Sequence, residues 1–156
     1  MPLNPVTLNQ AFQDLFADPP DSADACADAW AQAATDYLSG LTQLQTAPDL
    51  SSVKTSLKST FSTIFTATPT EGSGATTATL MEAAFSTLGL EVMLRVTATG
   101  IYVATAPIPP VGFSGLFGVS LTHEEAASKF STAIDTWART GTTTLIATPF
   151  TVSPWI

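Results

Sequence analysis

An all-α, single-domain bundle of about five helices, with a proline-rich connecting segment and extended N- and C-terminal arms, is the fold this sequence predicts. Three observations predict it. Between residues 22 and 40, Ala23, Cys26, Ala27, Trp30, Ala33, Ala34, Tyr37 and Leu38 recur at intervals of three and four, while Asp24, Asp28, Gln32 and Asp36 fall on the opposite side. The same period returns in Leu50, Val53, Leu57, Phe61, Ile64 and Phe65, and again in Ala126, Ala127, Phe130, Ala133, Ile134 and Trp137. Finally, 156 residues are enough for one substantial core and are ordinary for one domain.

Taken in order, residues 1–6 read as a proline-punctuated N-terminal arm, and Thr7 as the cap of a short helix carrying Leu8, Phe12, Leu15 and Phe16. Pro19 and Pro20 end that helix, because the residue before a proline is pushed out of the helical region. Asp21 or Ser22 caps the central helix, whose mostly alanine stripe lets a partner approach between its two rings; Gly40 is its expected stop. Asp49 or Ser51 opens the third helix, residues 66–75 form a Thr/Pro/Gly linker, and a fourth helix starts near Thr76. Residues 90–105 fit two readings: a hairpin built on the alternation of Val92, Leu94 and Val96, or continuation of the fourth helix to a cap at Gly100. The helix is the favoured one, since Leu90, Met93 and Leu94 suit a long buried helix.

Residues 106–112, APIPPVG, form a stiff polyproline-like segment that either packs across the bundle or docks on a neighbour. Thr122 followed by Glu125 is a capping box for the fifth helix, closed by Gly141. Residues 142–156 are β-prone and apolar, an extended C-terminal arm. Residues 12–37 and 113–137 also read alike, with Phe12, Leu15 and Phe16 matching Phe113, Leu116 and Phe117. Either this is a duplication, whose helices at 22–40 and 122–140 would pack as a pseudo-symmetric pair, or two amphipathic helices each preceded by a Phe-rich segment.

Composition argues about function mainly by exclusion. Ser and Thr make up about a quarter of the chain and charged residues only 12%, which fits a surface covered by neighbours rather than one kept dispersed by charge. A net charge of −8 with five basic residues leaves no basic patch for nucleic acid or an anionic membrane. The opening MPLNPVTLNQ has neither the basic nor the apolar region of a secretory signal, and no apolar run is long enough to cross a bilayer. Cys26 lies on an apolar stripe beside two acids and reads as a buried structural thiol. His123, the single histidine, sits in a helical first turn with no nucleophile elbow in the chain. No His/Cys spacing suits a metal, and Asp21, Asp24 and Asp28 are accounted for by a helix N-terminus. Glu82 and Glu91 could be paired as glycosidase acids, but nothing in the sequence singles them out. The expectation is no enzyme, no cofactor and no metal.

Three stretches carry a resemblance: LFADPPDSADACADAWAQA, PIPPVG leading into FSGLF, and AIDTWARTGT with its apolar extension to Trp155. Together they resemble small virion structural proteins of tailed bacteriophages, of the head–tail junction, tail or baseplate. The resemblance implies a non-catalytic subunit in symmetric copies, contacting other virion proteins through loops and tails, and assembled in the host cytoplasm into the virion. The candidate interface residues are Ile108, Pro109, Pro110 and Val111 in the proline segment, and Phe150, Val152, Trp155 and Ile156 in the C-terminal arm. Trp155 and Ile156 would form an apolar plug for a neighbour's pocket, so that removing residues 151–156 spares the helices and abolishes incorporation. The alternative is a soluble helical adaptor or chaperone-like domain that holds a peptide between its aromatic stripes.

Overall fold

A computed structural model describes residues 3–44, 49–67, 73–147 and 150–156. It contains five α-helices among these residues: α1 (Pro5–Ala17), α2 (Ala23–Ser39), α3 (Ser51–Ala67), α4 (Gly74–Ala98) and α5 (His123–Ala138). The mostly helical domain that periodicity predicts is therefore present. Beside it stands a small antiparallel sheet of β1 (Tyr102–Thr105), β2 (Thr142–Leu145) and β3 (Val152–Pro154), in that order.

Local chemistry explains most element boundaries. Helix α1 begins two residues before the expected cap at Thr7: Pro5 supplies a preset φ at the first turn, and Val6 N–H donates to Asn4 Oδ1 at 3.0 Å. Of the expected N-terminal arm, residues 5 and 6 are helical and Leu3 is buried, while residues 1 and 2 lie outside the described residues. Ser22, not Asp21, caps α2 by accepting from Ala25 N–H. Asp49 Oδ1 accepts from Ser51 N–H at the start of α3. The capping box of α5 forms in both directions: Glu125 N–H donates to Thr122 Oγ1, and Thr122 N–H to Glu125 Oε2.

The linker shrinks from both sides, as Thr66 and Ala67 belong to α3 and Gly74 and Ala75 to α4; its middle, 68–72, lies outside the described residues, as do Thr46 to Pro48 after the turn at Thr42–Leu44. Gly74 is tightly placed. A Cβ there would stand 2.4 Å from the Phe117 carbonyl oxygen, so only glycine lets the loop at 117–118 cross the start of α4. The helix reading of residues 90–105 holds as far as Ala98 and the hairpin does not form, because Val92, Leu94 and Val96 are helical and the strand that follows pairs with β2. Helix α4 runs to Ala98, Gly100 turns the chain with φ +72°, and the next residues enter β1.

The core is a continuous run of rings. Phe12 and Phe16 of α1 meet Trp30 of α2 and Phe130 of α5; Trp30 leads through Phe61 to Phe85 of α4, and Phe85 to Trp137. Helix α2 lies chiefly on α3 and α1 chiefly on α5, so α2 and α5 are not the pseudo-symmetric pair a duplication would make. They touch at Trp30–Phe130, with centroids 5.3 Å apart, and at Tyr37–Asp135. The counterpart of α1, residues 113–118, is a series of turns whose Phe113 and Phe117 feed the same ring cluster.

The proline segment packs across the bundle. Ile108 N–H donates to Thr140 Oγ1 at 2.7 Å, and Phe113 N–H to Glu82 Oε1 at 2.9 Å, so Glu82 acts as a clamp for the backbone. The C-terminal arm folds back as well. Trp155 N–H donates to Gly141 O, Thr42 N–H to Ile156 O, and the buried Gln43 donates to Pro154 O.

Candidate interface surfaces

The three strands separate the arm's residues by parity. Directly opposed residues share a face of a sheet, so Ala104, Thr143 and Ser153 form an inward row, and Val103, Thr144 and Val152 an outward one. Ile146 N–H donates to Ile101 O and Leu145 N–H to Thr151 O, which continues the same register past the strand ends. That register sets Ile101, Ile146 and Phe150 in the next outward row. The outer face thus collects Ile101, Val103, Ile146, Phe150 and Val152, all exposed, beside the threonines Thr105, Thr142 and Thr144. It contains no charged residue.

The eight residues expected at an interface divide accordingly. Phe150 and Val152 are 68% and 69% exposed, Ile108 is 67% exposed, and Pro109, Pro110 and Ile156 are also exposed. Val111 and Trp155 are not available to a neighbour, since both are buried in their own chain, at 4% and 0% exposure. The plug of Trp155 is corrected to an intramolecular one: its indole lies where a Cβ on Gly141 would come within 2.6 Å of the ring. Removing residues 151–156 would therefore remove core along with tail. Ile101, Val103 and Ile146 were not singled out from the sequence, although the β-branched and aromatic residues of IYVAT and TTTLI suit strands.

The edges of the sheet are blunted while its face is open. Ala104 N–H, on the β1 edge, donates to Thr97 Oγ1 of α4, and Pro154 has no N–H to offer along the β3 edge. A neighbour is consequently invited onto the outer face more than into a strand ladder.

Charges serve the interior of the bundle. Lys54 and Lys58 of α3 pair with Asp28 and Asp24 of α2, at 3.4 and 3.1 Å, and Arg95 donates to Ser52 Oγ. Arg139 holds both oxygens of Asp135 at 3.0 Å and reaches Leu3 O, while Tyr37 OH donates to Asp135 Oδ1 at 2.5 Å. Burial, with Asp135 beside it, pushes the Tyr37 phenol far above its usual range; the hydrogen bond that Arg139 donates to Asp135 holds its guanidinium protonated more firmly still. Three of the five cations thus tie helices together, and Arg139 ties the end of α5 to the segment before α1. Asp24 and Asp28 are used as ion-pair partners in addition to lying in the first turns of α2.

Little else on the surface suits chemistry. Burial raises the Cys26 thiol, which favours the inert protonated form. His123 lines a shallow depression with Gln10, Asp14 and Glu124, where the hydroxyl of Thr122 is engaged in the helix cap. Among the described residues no three His, Cys, Asp or Glu side chains gather as metal ligands, and no helix is long and apolar enough to cross a membrane.

The threonines of the helices add a physical point. Thr55, Thr60, Thr63 and Thr66 of α3, and Thr79 and Thr87 of α4, each donate their hydroxyl to the carbonyl four residues earlier. Their hydroxyl protons are spent within the helix, so these positions offer solvent or a neighbour one donor fewer than the composition suggests. Compared with family models, curated proteins and solved structures, the chain matches none.

Proposed function

We propose that the chain is a non-catalytic structural subunit of a phage or phage-like particle, meeting other virion proteins through its exposed sheet face and proline segment. The observation that carries this reading is the outer face of the sheet: five exposed apolar residues with no charge among them, in a chain of net charge −8. An apolar face of that kind marks a contact site. Ile108 at the exposed bend of the proline segment extends the same apolar character beyond the sheet. The resemblance of the LFADPPDSADACADAWAQA, PIPPVG and AIDTWARTGT stretches to tailed-phage virion proteins supplies the kind of assembly.

The test is incorporation. With Val103→Lys and Val152→Lys, folding is retained and the protein no longer co-sediments with particles assembled in its presence. Normal incorporation of that variant, or absence of the unaltered protein from every particle, overturns the reading.

A second reading, a soluble helical adaptor, is favoured by the C-terminus, whose Trp155 is buried in its own chain. Its proposed peptide groove does not lie between the aromatic stripes, because those rings pack on one another inside the bundle. A monomer that binds a partner peptide and never enters a particle decides for the adaptor.

A further inference from the structure

Helix α4 is the longest in the chain, at 25 residues, and among them only Glu82, Glu91 and Arg95 are charged. Its inward side is covered by the core. Its outward side carries Leu80, Ala83, Thr87, Leu90 and Leu94, all exposed, with Thr76 and Thr97 extending the line at each end. The spacing along this line alternates four and three residues, the period of a seam between two helices packed knobs-into-holes. Leu90 and Leu94 stand 51% and 61% exposed on it. Beside it, between α3 and α4, runs an open groove of about 460 Å³ whose walls include Ser56, Thr60, Thr63, Ala83 and Ala84. Leu57, Ile64 and Leu88 form the apolar part of the groove and Glu91 is its one acid, so leucine knobs and a mostly uncharged groove occupy the same face.

We infer that this face pairs with the same face of a second copy, α4 against α4 antiparallel, about a two-fold axis at Thr87. The inference deepens the subunit reading by naming a face through which copies meet, and it rests on that reading. Three features select a second copy as the occupant. First, reversal about Thr87 sets uncharged residues against uncharged ones: Leu80 faces Leu94, and, within one residue of exact reversal, Leu90 faces Ala83 and Thr97 faces Thr76. Second, the line itself carries no charge, and the acid beside it, Glu91 on the groove side, is set by the reversal near Ala83 and Ala84 of the other copy and not against its own counterpart. Third, the size is right. Positions 76–97 span about 30 Å of helix, and with the flank of α3 the face is about 20 Å wide. That is on the order of 600 Å² per copy, near the roughly 800 Å² per partner of a stable interface.

The experiment is light scattering and sedimentation of the full chain from about 1 to about 200 µM, where mass action must shift a reversible dimer. The expected result is a concentration-dependent dimer whose Kd rises more than ~10-fold in Leu90→Glu, with the helical circular dichroism unchanged. In a Cys26→Ala background, Thr87→Cys should oxidise to a cross-linked dimer, because position 87 meets itself at the axis, whereas Ala83→Cys should not. A monomer throughout this range overturns the inference, as does equal cross-linking at both positions. A seam dimer that never enters a particle fails the particle reading alone; particle entry through the sheet face by a monomer fails the seam alone.

Discussion

The two faces of the small sheet are made by the same three strands and do opposite work. Along β2, Thr143 turns inward and meets Ser153 and Gln43, whereas Thr144, one residue on, turns outward between Val103 and Val152. The inner face continues into Trp155, with no exposed surface; the outer face continues into Phe150, mostly exposed. One C-terminal arm therefore both closes the fold and displays a contact surface, and the two-residue period of a strand separates the tasks. Substitutions on the inner face should cost stability and those on the outer face association.

The largest expected effect is at Trp155. Trp155→Ala should lower unfolding free energy by about 3–5 kcal/mol, as large-to-small changes of buried aromatics do, measured by urea denaturation. Gly141→Ala should also destabilise, since its Cβ would enter the Trp155 ring. Trp155→Phe sharpens the comparison. The buried indole N–H groups of Trp155 and Trp137 have no acceptor among the described residues, so phenylalanine removes an unpaired donor while keeping a ring. It should cost clearly less than alanine. If Trp155→Ala left stability unchanged, the inner face would not be the structural one.

Next comes Gln43, which reaches across from the turn after α2 to Thr143 Oγ1, Pro154 O and Ile156 N–H, at 3.4, 3.2 and 3.4 Å. Gln43→Ala takes a partner from the part-buried Pro154 O and Ile156 N–H, while Thr143 keeps Ser153, and should cost about 2 kcal/mol. The same denaturation curves measure it.

Tyr37 should matter less at neutral pH, about 1.5 kcal/mol for Tyr37→Phe, the low end for a hydrogen bond to a charged acceptor. Its distinctive signature is alkaline. The phenol is held protonated in the folded chain but ionises near its ordinary value of 10.0 once unfolded. The unfolded state then binds fewer protons than the folded one, so stability present below pH 10 falls as pH rises above it. Denaturation between pH 8 and about 11 should show this decline in the natural chain and a flatter curve in Tyr37→Phe. An identical slope in both would remove Tyr37 from the account.

What was legible in the sequence follows from how local each cause is. The stripes of α2, α3 and α5 and the Thr122–Glu125 box depend on residues three or four apart, and each formed as read. The start of α1 differs from the expected cap at Thr7 because Pro5, placed in the N-terminal arm, is instead a first-turn proline capped by Asn4. The destination of Trp155 was not legible, since Gly141 and Gln43 receive it and Gln43 lies more than a hundred residues away along the chain. The strand β1 is four residues attached to a long helix, and its pairing with β2 joins segments about forty residues apart. The contact surface was found only in part for the same reason. Phe150 and Val152 were visible as apolar residues of an arm, but Ile101, Val103 and Ile146 become part of one face only once the register is set.

The smallest expected effect on stability is on that outer face, and there the comparison can fail most informatively. Val103 and Val152 flank Thr144 in one row and are both largely exposed. Threonine matches valine in shape and strand preference, so Val103→Thr with Val152→Thr should change unfolding free energy by no more than about 0.5 kcal/mol, as exposed substitutions usually do. It replaces a methyl on each side of Thr144 with a hydroxyl that a dry contact would have to desolvate. The unfolding midpoint should therefore stay where it is in the natural chain while incorporation into particles falls. A matching loss of stability would mean that the outer face is packed like the inner one, and the separation of tasks by strand parity would not hold.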